Sequence, residues 1–469
     1  MPAGRQVDSR GIETSCFDTT TLSLIFQLEL LYSEVTMSTT KRLLSNSLIV
    51  FIGTFLGSVF SYLFNMLMGR MLGPVPYGEM TALASLMMII GVTGGAFFTI
   101  SMRYSGEMVA LNQYSALLKL FRFMSRNVFL FSLGLLALGL VLVKPISQFF
   151  SISTIWSVVI SLTSVIFGLM ININRGFLQG AQKFLAISVF GSLESFLRLT
   201  LGLLLVFLGF SLNGALSAMV LATALVYALT FLPLGKVLKQ KEKNVSTDSF
   251  KFDKKEILGY SWPTLIAAAF LVLSINLDIL LVKHFFAPEV AGVYAAISAI
   301  GKIILYVSAP IIGVMFPMVS EQKAKGQKHF RVFLFSVALT VLSSLVILAV
   351  YVIAPGKVIS ILYGPKYVGF YYLLPEVGLS VLFYALYNLI SNYYLAIKNF
   401  IFLWFFTLTI IAQIVFISIF HGSLTEVIRI LIVSNAGLSL LMLGYYVFIK
   451  WPQIKVYLSG ELESYNESK

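Results

Sequence analysis

Between residues 46 and 449 the chain alternates long apolar runs with short polar breaks, and the runs share one length. In the first half they lie near 46–68, 79–101, 127–148, 154–174, 184–208 and 212–234. In the second half they lie near 257–282, 290–316, 332–354, 370–394, 400–420 and 427–449. Runs of roughly 17–25 residues are what a helix needs to cross about 30 Å of hydrocarbon. None shows the strict polar/apolar alternation of a barrel strand, and an open sheet would leave backbone groups unsatisfied in lipid. The pattern predicts an all-α integral membrane protein with about twelve transmembrane helices.

The polar breaks give the orientation. Placing the N-terminus inside leaves 22 Lys and Arg residues in inner segments and six at outer ends. That excess predicts that both termini face the cytoplasm. The longest and most lysine-rich inner segment, 235–256, divides the chain into two six-span halves, 44–234 and 257–450. A tail precedes them at 1–43 and another follows at 451–469. Thr21–Leu31 is apolar but interrupted by Gln27 and Glu29, which makes a poor signal peptide. Met37 stands just before Lys41, Arg42 and the first span, so residues 1–36 are expected to be an extension that precedes the natural start.

The two halves repeat each other. Arg70, Pro74 and Gly78 in the first hairpin correspond to His284, Pro288 and Gly292, each pair 214 residues apart, and Phe184 and Phe400 are 216 apart. Each copy has an even number of spans, so the copies share one orientation and are related by an axis along the membrane normal. Two like bundles facing a central cleft are suited to alternating access.

Composition narrows the function. Of 469 residues 58% are hydrophobic and only 11% charged, against about 25% charged in a soluble domain. The net charge of +13 is spread through inter-span segments rather than gathered in a basic domain, so nucleic acid is not the expected partner. One cysteine, Cys16, cannot form an internal disulfide, and the three histidines are scattered. No catalytic or metal-binding motif stands in a suitable context, so no catalytic residue, metal or cofactor is expected.

Ionisable residues inside spans are costly and therefore informative. Lys302 lies midway along the eighth span with no acidic residue one turn away. Tyr294, Ser298, Lys302 and Tyr306 recur at four-residue steps and predict a polar strip on a watery cavity; the alternative is a lysine paired with Glu194 or Asp278 from another span. Glu194 and Arg198 sit at i, i+4 in the fifth span, as a structural pair or as a cavity arginine moderated by its neighbour. Asp278 is either a local partner for nearby charges or a ligand for a coupling ion. Arg103 and Arg175 end the second and fourth spans on the inner side, where topology is one account of them and a functional role the other. Arg70 ends the first span on the outer side, which points to the outer gate. Thr54, Ser58, Ser61 and Asn65 form one polar stripe on the first span, for helix–helix bonding or for a hydrated cavity. Gly91, Gly94, Gly95, Pro310 and Gly313 are candidate bend points.

Several stretches resemble the start of polysaccharide-biosynthesis flippases, of the superfamily that also holds the MATE exporters and the peptidoglycan-lipid flippases. They are Asn46–Phe55, the hairpin Gly69–Ala82 with Gly73, Pro74, Tyr77 and Gly78, the run from Ser101 through Arg103 to Ser105, and Arg175–Gly180. The resemblance spans about residues 44–450. It implies two six-helix bundles around a central cavity in the cell membrane, and a cargo of oligosaccharide on a polyprenyl-diphosphate carrier, as in lipopolysaccharide or capsule synthesis. A polysaccharide polymerase or export machinery is then a further partner. On that basis Lys302, Arg70, Arg198, Tyr294, Ser298, Tyr306 and Asn65 are the cargo candidates, and Glu194, Asp278, Arg103 and Arg175 are coupling or structural charges. A MATE-type exporter of organic cations would want acidic cavity residues, and Glu194 and Asp278 are the few on offer. A membrane glycosyltransferase, polymerase or ligase would want a sizeable outer loop, and the largest is about 355–369.

Overall fold

The computed structural model describes the backbone of residues 39–239, 254–327 and 329–458 and the side chains of 48–239, 265–327 and 329–448. Cys16, Met37, most of the basic linker and the end of the C-terminal tail lie outside these ranges. Among the described residues there is no strand.

The apolar runs become helices that overshoot the runs at their ends. In chain order they are α1 (Thr39–Leu72), α2 (Pro74–Ala110), α3 (Tyr114–Val141), the short α4 (Val143–Phe149), α5 (Ile155–Gly180), α6 (Phe184–Leu205) and α7 (Ser211–Leu238). The second half holds α8 (Lys254–Phe285), α9 (Pro288–Gly301), α10 (Ile303–Ala324), α11 (Phe330–Ile353), the short α12 (Pro355–Tyr363), α13 (Leu373–Ala396), α14 (Phe402–Ile419) and α15 (Leu424–Leu458). Eleven continuous helical stretches among the described residues are long and apolar enough to cross a membrane. One of them, Phe184–Leu238, has 55 residues, roughly 80 Å at 1.5 Å per residue and far more than one crossing needs. It is broken at a π-helical turn, Val206–Phe210, where Gly209 takes φ +92° and Ser211 φ +47°. Its two arms, α6 and α7, pack against each other. The chain is a multi-pass α-helical membrane protein.

Burial is inverted relative to a soluble protein. Phe207, Ile353 and Phe448 are more than 80% exposed, which is stable only where lipid tails replace water. Polar and small residues turn inward instead: Ser101, Ser105, Asn174, Thr230, Ser391 and Gln413 are fully buried. α2 crosses α5 where Gly176 and Gly180 meet Ser101 and Ser105. Such small-residue pairs let helix backbones touch where no hydrophobic force draws them together.

α2 and α9 open alike, each with proline in its first turn, where the missing N–H has no helical partner to lose. Gly73 ahead of Pro74 takes φ +78°, a conformation that suits glycine. α2 then runs as one continuous helix through Gly91, Gly94 and Gly95. Gly91 and Gly95 face open space, while Gly94 packs on Asn172. The eighth span does break, but at Lys302 between α9 and α10 rather than at Pro310 or Gly313, which lie inside α10.

Candidate functional site

Residues 50–469 form one compact unit, and the seam between its halves is concentrated at the end where Pro74 and Pro288 start their helices. α2 packs there on α8 and α9. Gly78 and Gly292, the repeat-equivalent glycines, touch backbone to backbone. A Cβ on Gly78 would meet the Cα of Gly292 at 2.8 Å, and one on Gly292 would run into the Pro74 carbonyl. Tyr77 and Tyr363 share a hydroxyl hydrogen bond of 3.0 Å, and Tyr367 donates to the Gly69 carbonyl at 2.6 Å. Burial pushes the Tyr363 and Tyr367 phenols well up, so both remain neutral hydroxyls. His284 stacks on Phe149 at 3.8 Å, and its Nδ1 lies 2.8 Å from that residue's carbonyl. Arg70 donates to the carbonyls of Ile361 and Leu362, the latter at 2.8 Å. It therefore caps the end of α12, whose last carbonyls have no helical partner. Glu79 accepts from the Ser153 amide and hydroxyl at 3.1 and 2.9 Å. Lys283, at 1% exposure, is buried without a hydrogen-bond acceptor and interacts electrostatically with Glu79.

Burial falls away from this seam. Tyr77 to Leu83 of α2 are all buried, as are ten of the fourteen residues of α9. α10 keeps only Ile304, Ser308, Met315 and Val319 buried, while Tyr306, Val314 and Met318 are exposed.

The intramembrane charges gather into two clusters, one in each half. In the second half Asp278 of α8 lies 3.8 Å from the Lys302 ammonium. Its Oδ2 accepts from Tyr294 and Ser298, each at 2.9 Å. Tyr294 and Ser298 are 1% exposed and hold a carboxylate, and Lys302 pairs with that carboxylate from a neighbouring helix, its side chain 19% exposed. Tyr306, beyond the helix break, points elsewhere and meets Tyr62 edge-on at 6.1 Å. Beside Asp278 lies a small cavity lined by Tyr294, Lys302, Ser274, Ser380, Tyr384 and Asn435. The Asp278 Oδ1 has no hydrogen-bond partner.

In the first half Glu194 of α6 bridges two arginines. Its Oε2 lies 2.5 Å from Arg175 of α5, and its Oε1 lies 3.4 Å from Arg198 and accepts from Thr223 of α7 at 2.7 Å. The i, i+4 pair predicted from spacing exists, but the shorter contact comes from Arg175, near the end of the fourth span. Both arginine side chains are about a quarter exposed, at 25% and 24%. The cluster carries one positive charge in excess. Of the polar stripe on α1, Ser61 reaches Ser195 at 3.1 Å, while Thr54, Ser58 and Asn65 bond to carbonyls of their own helix. Arg103 is exposed on α2. Among the described residues no three His, Cys, Asp or Glu side chains gather as metal ligands.

A family profile described as "Polysaccharide biosynthesis protein" matches residues 112–323. No curated protein matches the chain. Solved structures match over most of its length. An inward-facing multidrug-resistance MATE transporter of the MOP superfamily is 14% identical, with 86% of this chain and 96% of that one covered at a TM-score of 0.67. The lipid II flippase MurJ in an inward closed conformation is 15% identical, with 86% and 87% covered at 0.64. A MOP-superfamily transporter from Pyrococcus furiosus, described as having a binding pocket of reversed polarity, is 16% identical, with 88% and 95% covered at 0.61. At these identities the structures establish the fold. The resemblance seen in the sequence holds: the chain is similar to polysaccharide-biosynthesis proteins across its middle and has the fold of the MOP superfamily.

Proposed function

We propose that this membrane protein is a flippase that carries a polyprenyl-diphosphate-linked oligosaccharide from the inner to the outer leaflet of the cell membrane by alternating access, with no chemical step. The observation that carries the reading is the Arg175–Glu194–Arg198 cluster: two partly exposed guanidiniums share one carboxylate and leave a net positive charge within the membrane. Guanidinium binds phosphate oxygens in pairs, and uncompensated charge at this depth is rarely kept without a function. The sealed seam is the outer gate, and the less buried far end of α10 gives access from the cytoplasm. Lysine and arginine distribution supports cytoplasmic termini. The break at Gly209 supports twelve crossings, with 44–234 and 257–450 as the two six-helix bundles.

Arg198 and Arg175 are therefore the leading diphosphate contacts, with Tyr306 and Asn65 beside the path and Lys302 held in reserve by Asp278. Arg70 belongs to the gate. An exporter of organic cations would need a free carboxylate, and Glu194 and Asp278 are both already engaged by bases. Deleting the gene in its native host should deplete the surface glycan and leave lipid-linked oligosaccharide in the inner leaflet. Arg198→Ala should reproduce the defect at normal abundance. Unchanged surface glycan in the deletion strain contradicts the reading.

A further inference from the structure

Glu194 is bound unevenly by its two arginines. Its Oε2 meets Arg175 at 2.5 Å, while Oε1, already taken by Thr223 at 2.7 Å, meets Arg198 only at 3.4 Å. The Arg198 Nε is buried and has no acceptor. Arg175 is thus satisfied, and Arg198 is a held but under-used donor. A carboxylate presents to guanidinium nearly the same pair of oxygens that a phosphate does.

Resting on the diphosphate reading above, we propose that Glu194 is a resident stand-in for the cargo's phosphate. It holds Arg198 while the site is empty, yields it to the diphosphate on loading and reclaims it to drive release. Arg175 and Thr223 keep the carboxylate in place throughout, so it is always within reach when the cargo loosens. Without such a competitor, two guanidiniums within the membrane would hold a multiply charged diphosphate too firmly to let it go. Glu194 then sets cargo affinity and release rate as a positioning residue and makes no contact with the cargo.

The test titrates inorganic pyrophosphate into the purified full-length protein at constant ionic strength and follows binding by calorimetry. Glycan export is measured alongside in cells. Arg198→Ala should weaken binding at least tenfold. Glu194→Gln should tighten it about tenfold, equivalent to about 1.4 kcal/mol, while slowing export. Glu194→Asp keeps the charge but draws the carboxylate back from Arg198, so it should bind more tightly than wild type by a smaller factor. It also decides the matter if Glu194→Gln does not accumulate. A merely structural glutamate would lower binding and export together. If both Glu194 variants bind pyrophosphate no more tightly than wild type while Arg198→Ala loses it, the stand-in role is wrong and the diphosphate site stands. If Arg198→Ala binds as wild type does, the diphosphate site itself is wrong.

Discussion

Adding one methyl group to Gly292 should open the outer gate. The new Cβ would run into the Pro74 carbonyl, in the seam where Gly78 and Gly292 already touch. Backbone cannot move aside as a side-chain tip can, so the closed seam takes the full overpacking penalty, typically about 1–3 kcal/mol. The open state has no such contact. A penalty near the middle of that range, about 2 kcal/mol, shifts the closed–open equilibrium roughly 30-fold. The chain has a single cysteine, Cys16, so a Cys16→Ser background accepts a reporter. Ala295, one turn beyond Gly292 and 1% exposed, takes cysteine with little change in volume. A membrane-impermeant maleimide added to intact cells should label Ala295→Cys slowly, and roughly 30-fold faster with Gly292→Ala present. Gly313→Ala is the control, because nothing lies within 4 Å of its added Cβ. Unchanged labelling with Gly292→Ala, or equal acceleration by Gly313→Ala, would refute the gate.

Three further outcomes follow from the buried charges. Lys302→Met should lower membrane abundance, because a buried carboxylate that loses its partner is destabilised by about 3–5 kcal/mol. Asp278→Asn with Lys302→Met should restore abundance on immunoblots but not glycan export, and restored export would make the pair purely structural. Glu79→Gln should lower the thermal unfolding temperature more than Lys283→Met does, since it strands a fully buried ammonium. The double variant should recover part of the loss, and simple additivity would show that the two charges do not interact. Arg70→Lys cannot cap both Ile361 and Leu362 as the guanidinium does. It should destabilise the seal by about 1–2 kcal/mol and speed labelling of Ala295→Cys; wild-type labelling would remove Arg70 from the gate.

The helices were legible because the bilayer imposes one length on every apolar run. The repeat was legible because Pro74 and Pro288 fix the same helix start, and its equivalent glycines, Gly78 and Gly292, meet across the seam. The short helices were hidden inside longer readings. Lys144-Pro-Ile-Ser147 and Lys357-Val-Ile-Ser360 repeat at a separation of 213 residues, a sign that the predicted 127–148 span had absorbed α4. Spacing along one helix found Arg198 beside Glu194 but could not find Arg175, whose approach depends on how α5 crosses α6. The pairing of Lys302 with Asp278, 24 residues earlier on another helix, was legible only as one of two options, since Glu194 offered itself as well. Tyr294 and Ser298 matched a cavity strip by period, yet a four-residue period fits a carboxylate-binding face equally well. Nor does any proline announce the break at Lys302.

The central claim, movement of a diphosphate-linked glycan between leaflets, is tested most directly in proteoliposomes holding only this chain. A fluorescent polyprenyl-diphosphate oligosaccharide is placed in both leaflets, and an impermeant glycosidase added outside reports how much becomes accessible. The account predicts that wild type exposes nearly all of the lipid and that Arg198→Ala liposomes stop at the half already outside. Wild-type liposomes that stop at the same half as protein-free vesicles would contradict it.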